Sequence, residues 1–469
     1  HITNDIYTKD PITGIGGMIY VRNGVPDYIQ HYDDYDRKNI VLMIGGFIQD
    51  SWSPANKLTL NLGIRFDRQE GIVPVQGLER QPVVYGGRTY DPRVQESFKP
   101  LVWNTFSPRI GLTYVLTGDA KTVLKASYGR YPLTGYSWIF GRDLNPNSSI
   151  SWRVRLNPDG TVKGEPYMFS AAVETKMDPD LKVPYIDEFT VGIEREIFRN
   201  AKLGLRYIRK WDRNILDNVD MNALDLDALG RGEWIWTNYA PFSVTDPYSG
   251  EIVTFYGVKD TSITSAMYIT NPPGAKRDYD GIEITFTKKY SQRWQMFVSY
   301  VYAYARNNFD LSNYSDYSSM FNNPNTMINA FGRDAQVTPH QFKMSAAWTG
   351  PWGVNFGGYF TLLAGDRYTR TIRSNDLGLK LSQGNVTINA EEKGARMLPA
   401  IMTLDLRAEK TFRYKNIQLR FMVDVFNIFN DNTATSRETV SSNPASFTFE
   451  KTTGIVDPRI LRLGVKLEF

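Results

Sequence analysis

Short segments in which every second residue is apolar recur along this chain. In residues 57–67, for example, Leu58, Leu60 and Leu62 alternate with polar or small residues. Because successive side chains of a β-strand point to opposite faces, this spacing predicts a strand with one apolar face. Thirteen such segments occur, at residues 41–52, 57–67, 107–116, 121–131, 185–197, 202–210, 280–289, 293–305, 339–349, 353–362, 401–411, 418–426 and 461–469. The pattern therefore predicts an all-β protein.

The connections between these segments alternate between short and long. The short ones are residues 53–56, 117–120, 198–201, 290–292, 350–352 and 412–415, and they carry turn formers such as Pro54, Asn200 and Gly350. The long ones are residues 68–106, 132–184, 211–279, 306–338, 363–400 and 429–459. Outer-membrane barrels have short periplasmic turns and long extracellular loops, whereas a soluble β-sandwich has no reason for this order. Residues 41–469 are predicted to form part of a transmembrane antiparallel β-barrel, and residues 1–40 an extracellular loop before it.

Composition is compatible with this interpretation. The mean hydropathy is −0.38 and no run of eighteen apolar residues occurs, which excludes membrane-spanning helices. A barrel strand needs only alternate apolar residues, and an aromatic content of 13% suits the aromatic girdles of such barrels. On composition alone, an aromatic-rich soluble sandwich is the alternative. The absence of cysteine excludes thiol catalysis, disulfides and cysteine metal sites.

The apolar face of each strand is predicted to meet lipid and the polar face to line a lumen. Ten charged residues are predicted to face that lumen: Arg65, Arg109, Lys125, Glu194, Arg206, Glu283, Asp405, Arg407, Arg420 and Asp424. The net charge of +4 is small and basic residues are interspersed with acidic ones, so no nucleic-acid partner is expected.

Several motifs resemble one known family. Residues 46–67 read GFIQDSWSPANKLTLNLGIRFD, residues 106–131 read FSPRIGLTYVLTGDAKTVLKASYGRY, and residues 404–430 read LDLRAEKTFRYKNIQLRFMVDVFNIFN. The chain ends in PRILRLGVKLEF, an alternating strand with a final aromatic residue. In order and spacing these segments resemble the TonB-dependent receptors of Gram-negative outer membranes, within their Oar-like branch.

The resemblance implies a plugged 22-stranded barrel, of which these would be the last thirteen strands. The family's plug and energy-coupling box are not recognisable in this sequence. It further implies energised import or export of a large or scarce solute, driven by an inner-membrane TonB complex acting through the missing plug region. Phe469 would be the signal read by the barrel assembly machinery. Alternatives are a passive porin or adhesin-type barrel, or an outer-membrane scaffold for surface lipoproteins.

Residues for catalysis are scarce. The histidines are His1, His31 and His340, and none has metal-ligand spacing, so no enzyme activity, metal site or cofactor is expected. Ligand recognition is predicted on the long loops, where Trp152, Trp234, Trp236 and Tyr239 are candidates for stacking on a sugar or packing on a protein ligand. Tyr136, Trp138 and Phe140 belong to the same group. Alternatively, these aromatic residues pack the loops on one another.

Overall fold

The computed structural model describes most of the chain. The described residues are 6–9, 16–22, 24–32, 39–77, 83–85, 88–90, 94–133, 151–170, 175–309, 320–442 and 448–469. Among these residues, no helix is long and apolar enough to cross a membrane.

Thirteen long strands form a single antiparallel path in which each strand pairs with its neighbours in the chain. They are β1 (Ile40–Ala55), β2 (Leu58–Val73), β3 (Phe98–Val115), β4 (Thr122–Pro132), β5 (Tyr185–Phe198), β6 (Ala201–Arg213), β7 (Arg277–Ser291), β8 (Trp294–Asn307), β9 (His340–Thr349), β10 (Val354–Leu363), β11 (Ile401–Tyr414), β12 (Ile417–Phe426) and β13 (Ile460–Glu468). The prediction of an all-β chain is confirmed, and each of the thirteen segments corresponds to one strand.

Left-handed backbone conformations occur in most of the short turns. Gln292 and Arg293 between β7 and β8 both have positive φ, at 53° and 66°. Two successive positive φ values define a two-residue turn whose twist matches that of the strands it joins. Asn200 and Lys415 have φ of 64° and 51° in the turns after β5 and β11. Because consecutive strands are antiparallel and short and long connections alternate, all short turns lie at one end of the sheet and the long connections at the other.

Cross-strand register separates the side chains into two continuous faces. Leu62 of β2 lies opposite Ile110 of β3, and Ile110 lies opposite Tyr128 of β4. At the other end of the path, Val425 of β12 lies opposite Leu461 of β13. Leu62 is 44% exposed although it is in the middle of a paired strand. The exposed apolar residues thus form one surface, here called the apolar face, and the opposite surface is the polar face.

Two strands continue beyond the point where the sequence pattern ends. The segment 68–106 was expected to be loop, but residues 68–73 extend β2 and residues 98–106 extend β3. Both faces of this extension carry polar contacts. The Glu70 carboxylate, for example, accepts hydrogen bonds from Arg68 and Lys99 at 2.7 and 2.6 Å. The alternation of apolar and polar residues ends beyond the apolar face, because neither side of these extensions needs to meet lipid. Backbone pairing between the two strands nevertheless continues. The expected loop boundaries were therefore wrong at this position.

The long connections contain small sheets and short helices. Ile6–Lys9, Gly16–Arg22, Val25–Tyr32, Ser151–Leu156 and Val162–Ser170 form one five-stranded sheet. Residues 1–40, expected to be a loop, thus supply strands to a sheet shared with residues 151–170. The other short strands are Gln76–Gly77, Val83–Tyr85, Arg88–Tyr90, Val94–Gln95, Thr175–Met177, Asp217–Asp220, Tyr239–Thr245, Ile252–Val258, Met267–Thr270, Gly332–Arg333, Arg367–Tyr368, Thr371–Arg373, Thr387–Asn389, Arg396–Met397, Ala434–Arg437 and Thr452–Ile455. Among the described residues, the helices of these connections are Leu226–Gly230, Pro324–Met327 and the 3₁₀ turn Asn375–Leu377, and a further 3₁₀ turn, Pro351–Gly353, lies in the short turn between β9 and β10.

Buried apolar clusters lie at this end of the sheet, where the long connections meet the extended ends of β2 and β3. One contains Val219, Leu224 and Phe321, and another contains Phe255 and Ile372. Each cluster combines residues from two or more long connections. The connections at this end therefore pack together into a unit with its own cores, here called the loop cap.

Candidate functional site

The polar face of the sheet carries all ten charged residues that were predicted to line a lumen. Register places them on one surface: Arg109 opposite Gly63, Arg206 opposite Glu283, and Arg407 opposite Asp424. The set consists of Arg65, Arg109, Lys125, Glu194, Arg206, Glu283, Asp405, Arg407, Arg420 and Asp424. Strand alternation alone is sufficient to bring them to the same side.

Most charges on the polar face occur in ion pairs between neighbouring strands. Lys125 of β4 lies 3.1 Å from Glu194 of β5, and Arg206 donates to Glu283 of β7. Asp424 of β12, which is 5% exposed, forms an ion pair with Arg407 of β11 at 3.1 Å and accepts a hydrogen bond from Arg462 Nε of β13 at 2.9 Å. Opposite charges facing each other across a pair of strands favour that register and leave little net field on the surface.

The remaining members of the set have other partners. Arg65 pairs with Asp67 at 2.6 Å, and the Arg109 guanidinium lies 5.3 Å from the centre of the Tyr131 ring. Asp405 accepts a hydrogen bond from the Asn427 backbone N–H at 2.8 Å. Arg420 differs, because its buried Nε has no hydrogen-bond partner within the described part of the chain.

The polar face is also concave. A cavity of about 790 Å³ is lined by residues that include Asn61, Arg65 and Arg109, and one of about 440 Å³ by residues that include Lys125 and Arg206. Both volumes fall in the range of small-molecule sites. The surface is recessed and carries charged side chains, which suits passage or binding of a polar solute.

The loop cap brings three of the four aromatic candidates together. Trp234 stacks on Trp236 with ring centres 6.0 Å apart and on Phe321 at 5.6 Å, while Tyr239 meets the Trp236 ring edge-on at 5.5 Å. The two tryptophans are half-buried against the cluster that contains Val219. Their packing holds two long connections together and leaves part of each ring accessible.

Trp152 lies elsewhere in the fold. It is part of the strand Ser151–Leu156, which pairs with Val25–Tyr32. Its side chain falls outside the described part of the chain, as do Tyr136, Trp138 and Phe140. The expected grouping of the Trp152 and Trp234 side chains therefore falls outside the described residues.

A buried ion pair connects three long connections of the loop cap. The Arg370 side chain is 5% exposed and lies 2.7 Å from that of Asp246, which is fully buried. Arg370 also donates to Ser441 Oγ at 3.0 Å, and its guanidinium lies 4.9 Å from the Tyr248 ring. Sequence reasoning missed this contact because no spacing rule relates residues so far apart in the chain. We call Arg370, Asp246 and Ser441 the loop clamp.

Opposing effects act on Asp246. Burial by itself would raise the pKa of this carboxyl group, but hydrogen bonds from the Tyr248 backbone, Arg370 and Ser249 outweigh burial and hold the pKa below its usual range. Asp246 is consequently ionised at neutral pH and neutralises Arg370.

Two cavities lie within the loop cap. One, of about 420 Å³, is lined mainly by Asn, Gln, Ser and Thr residues together with Tyr239 and a few apolar residues, and Asp220 is the single charged residue in its lining. The other, of about 360 Å³, includes Asp334 and Lys393 in its lining. Both cavities contact Asn325, Thr326 and Thr387, so a thin wall separates them. Burial and then Asp220 raise the pKa of Tyr239, which keeps its hydroxyl group protonated as a donor.

The described residues contain no group of three or more His, Asp or Glu side chains arranged to hold a metal ion.

Comparison with known proteins identifies the class. Residues 20–372 match a family model described as an outer membrane beta barrel domain, and the chain belongs to that family. It is accordingly a protein of the Gram-negative outer membrane, as its strand pattern predicted.

The sequence is similar to that of the TonB-dependent transporter Oar of Myxococcus xanthus. The two are 24% identical over 82% of this chain and 35% of Oar, so the chain spans about a third of that relative. The resemblance to TonB-dependent receptors inferred from the motifs is thus confirmed.

Solved structures of outer-membrane transporters resemble this chain at low identity. The transporter YddB of Escherichia coli is 12% identical, with a TM-score of 0.49 over 97% of this chain and 62% of YddB. The siderophore receptor PiuA of Acinetobacter baumannii is 10% identical, with a TM-score of 0.47 over 94% of this chain and 44% of PiuA.

Proposed function

We propose that the chain forms part of the barrel wall and the extracellular cap of a TonB-dependent outer-membrane transporter that moves a large or scarce solute by binding and gating. The observation that carries this proposal is the recessed polar face of paired charges beneath a cap of loops with cavities. In this arrangement the ten charged residues line the lumen. The long connections, where sugar- or protein-binding aromatic residues cluster, face outward.

The thirteen strands are proposed to be the last thirteen of a 22-stranded barrel whose plug lies outside these 469 residues. The path of strands ends at β1 and β13, which do not pair with each other in the described part of the chain. In a membrane each of those edges must be satisfied by further strands, because lipid offers no hydrogen bonds. An even total also fits bacterial single-chain barrels. The inner-membrane TonB complex would act through that plug.

Bilayer conductance of the full-length protein separates this proposal from the passive-porin alternative. A plugged transporter is expected to stay closed in a planar bilayer and to bind the purified periplasmic domain of TonB. A steady open conductance without TonB binding would contradict the proposal and favour a porin. A lipoprotein that copurifies in stoichiometric amount and covers residues 132–184 and 211–279 would instead favour the scaffold alternative.

Trp234 and Trp236 are proposed to contact the transported solute. Cells that carry Trp234→Ala with Trp236→Ala are expected to remove less of that solute from the medium, as measured by mass spectrometry of culture supernatants, at unchanged surface abundance. Trp236→Phe, which keeps an aromatic ring in the stack, is the matched control. Unchanged depletion by the double variant would mean that both rings serve packing alone.

Phe469 is proposed to be the signal for barrel assembly. It follows β13 directly and is 96% exposed, so its ring is available to another protein. Deletion of Phe469 is expected to lower the amount of heat-modifiable barrel in the outer membrane, whereas Phe469→Tyr is expected to preserve it. Equal amounts of barrel in all three proteins would contradict this role.

A further inference from the structure

Arginine side chains gather where the apolar face of β8 ends on the side of the loop cap. Tyr300, Tyr302 and Tyr304 belong to that face, because they lie opposite Ile284, Ile282 and Asp280 of β7. Arg306 comes two residues after Tyr304 and lies opposite Arg333 of the short strand Gly332–Arg333. Two residues of strand span roughly 7 Å, so these arginines stand just beyond the tyrosines.

An aromatic ring stacks on each of these two guanidinium groups, and a carboxylate pairs with one of them, Arg306. The Arg333 guanidinium lies 3.7 Å from the centre of the Tyr304 ring, and no carboxylate lies within 4.0 Å of it among the described residues. Arg306 lies 4.5 Å from the Phe331 ring and 2.6 Å from Glu392, whose side chain is 55% exposed. Stacking leaves the N–H groups of a guanidinium free to bind an anion in the plane of the group.

A third arginine approaches the same place from the next connection. Arg367 donates to the Gly394 carbonyl oxygen at 3.0 Å, and Gly394 packs so closely that an added Cβ would stand 2.5 Å from the Arg333 carbonyl oxygen. Neither the buried Nε of Arg306 nor that of Arg367 has a hydrogen-bond partner in the described part of the chain. Burial, and then the charges of Arg367 and Arg306, lower the pKa of Arg333.

Acidic residues nearby do not compensate for these charges. Asp278 and Asp280 of β7 lie on the same face, but Arg213 and Arg209 already pair with them. Lys276 adds a further positive charge, 4.7 Å from the Phe331 ring. Glu392 is therefore the one carboxylate that contacts Arg306, Arg333 or Arg367 among the described residues.

We propose that Arg306, Arg333 and Arg367 form a binding site for the phosphate groups of a phosphorylated lipid of the outer leaflet. Tyrosines mark the boundary between hydrocarbon and headgroups in such barrels, and the arginines begin immediately above them. Arginine forms paired hydrogen bonds with phosphate, and basic clusters beside a membrane recognise lipid headgroups. A lipid is favoured over a free anion because the exposed apolar face directly below accommodates acyl chains.

This inference rests on the proposed orientation, in which the long connections face outward. Protease treatment of intact cells tests that orientation separately: cleavage within residues 211–279 is expected without permeabilisation. If cleavage requires permeabilised cells, the proposed orientation is wrong and the lipid-site proposal is wrong as well. Failure of TonB binding would leave the lipid site unaffected.

The test is a titration of the full-length protein in detergent with bisphosphorylated lipid A, followed by native mass spectrometry. Substitution of Arg306→Gln, Arg333→Gln and Arg367→Gln together is expected to weaken lipid A binding by at least about tenfold. The matched control removes three arginines near the short turns, with Arg199→Gln, Arg293→Gln and Arg413→Gln, and is expected to bind like the native protein. Heat-modifiable migration verifies that each barrel has assembled. If the triple variant does not assemble, Arg333→Gln alone is used, with a smaller loss expected.

Three results would overturn the proposal. One is native affinity in the triple variant, or an equal loss in the control. Another is equally tight binding of dephosphorylated lipid A, which would mean that acyl contacts alone hold the lipid. The third is full competition by inorganic phosphate at concentrations equal to those of the lipid, which would identify a free-anion site. Preferential binding of the phosphorylated form, lost in the variant and insensitive to inorganic phosphate, would support it.

Discussion

The thirteen-stranded sheet and the loop cap are held together in different ways. In the sheet, strands adjacent in the chain are adjacent in space, and exposed apolar residues such as Leu62 face away from the protein. In the cap, the decisive contacts join residues far apart in the chain, such as Arg370 with Asp246 and the Asn325 side-chain amide with the Tyr256 carbonyl oxygen. The sheet therefore depends on a repeated local pattern and on lipid, whereas the cap depends on a few specific contacts. The predictions below test that difference.

The loop clamp should show the largest effect of a single substitution. Arg370→Met leaves Asp246 buried without its cation, which is expected to cost the cap about 3–5 kcal/mol while the sheet remains assembled. Hydrogen exchange of the backbone amides in residues 239–258 and 367–397 measures the loss of cap stability. Arg231→Ala, which removes a partner from an exposed pair with Glu233, is the control and is expected to cost less than about 1 kcal/mol.

Combining Arg370→Met with Asp246→Leu removes both charges of the clamp. The double variant should recover much of the protection, because no buried charge is left unpaired. Melting of the whole barrel in Arg370→Met would show that cap and sheet are one cooperative unit, contrary to the distinction drawn above.

Leu62→Arg tests the apolar face of the sheet. A charge on the lipid side near mid-membrane is expected to cost about 2–4 kcal/mol, whereas Asn61→Arg places the same charge on the polar face at little cost. Folding yield in lipid vesicles measures both. Equal yields would mean that the two faces are assigned wrongly.

Gly281 tests close packing within the sheet. A methyl group there would stand 2.9 Å from a ring carbon of Tyr279, which lies over the glycine. Gly281→Ala is therefore expected to destabilise the barrel by about 1–3 kcal/mol in urea unfolding. At Gly46 a methyl group meets nothing within 4 Å, and Gly46→Ala should change stability by less than about 0.5 kcal/mol. Comparable changes at both positions would contradict the packing argument.

The clamp also predicts a response of the cap to acid. The pKa of Asp246 is lower in the fold than in an unfolded chain, so its contribution is complete above the unfolded value of about 3.9 and disappears as pH falls through the folded value. Limited proteolysis of the cap should accelerate in that window for the native protein. Asp246→Asn should be cleaved readily already at neutral pH, with a smaller further increase in acid. Identical pH profiles would exclude Asp246 as the titrating group.

The strands and their faces could be predicted because the pattern that encodes them is local. Alternation located each of the thirteen strands and placed Lys125 and Glu194 on one surface, where they form an ion pair. The strand ends were predicted wrongly at residues 68–73 and 98–106. These parts of the strands lie beyond the apolar face, where the alternating pattern of a lipid-facing strand is no longer required.

The cap could not be derived in the same way. Trp234, Trp236 and Tyr239 were recognisable as a group because they are close in sequence, but their stacking on Phe321 was not. The loop clamp and the arginines above Tyr304 depend on how separate connections pack together. No periodic pattern in the sequence predicts that packing.

The sequence by itself determined that this protein is a membrane barrel, because a lipid surface imposes a period of two on every strand. Its motifs also indicated the resemblance to TonB-dependent transporters. Only the tertiary structure decided how the long connections pack, which charges are buried and where arginines remain without carboxylate partners. These contacts join segments that are distant in the chain and depend on the geometry of individual side chains. Such geometry produces no repeated pattern in the sequence.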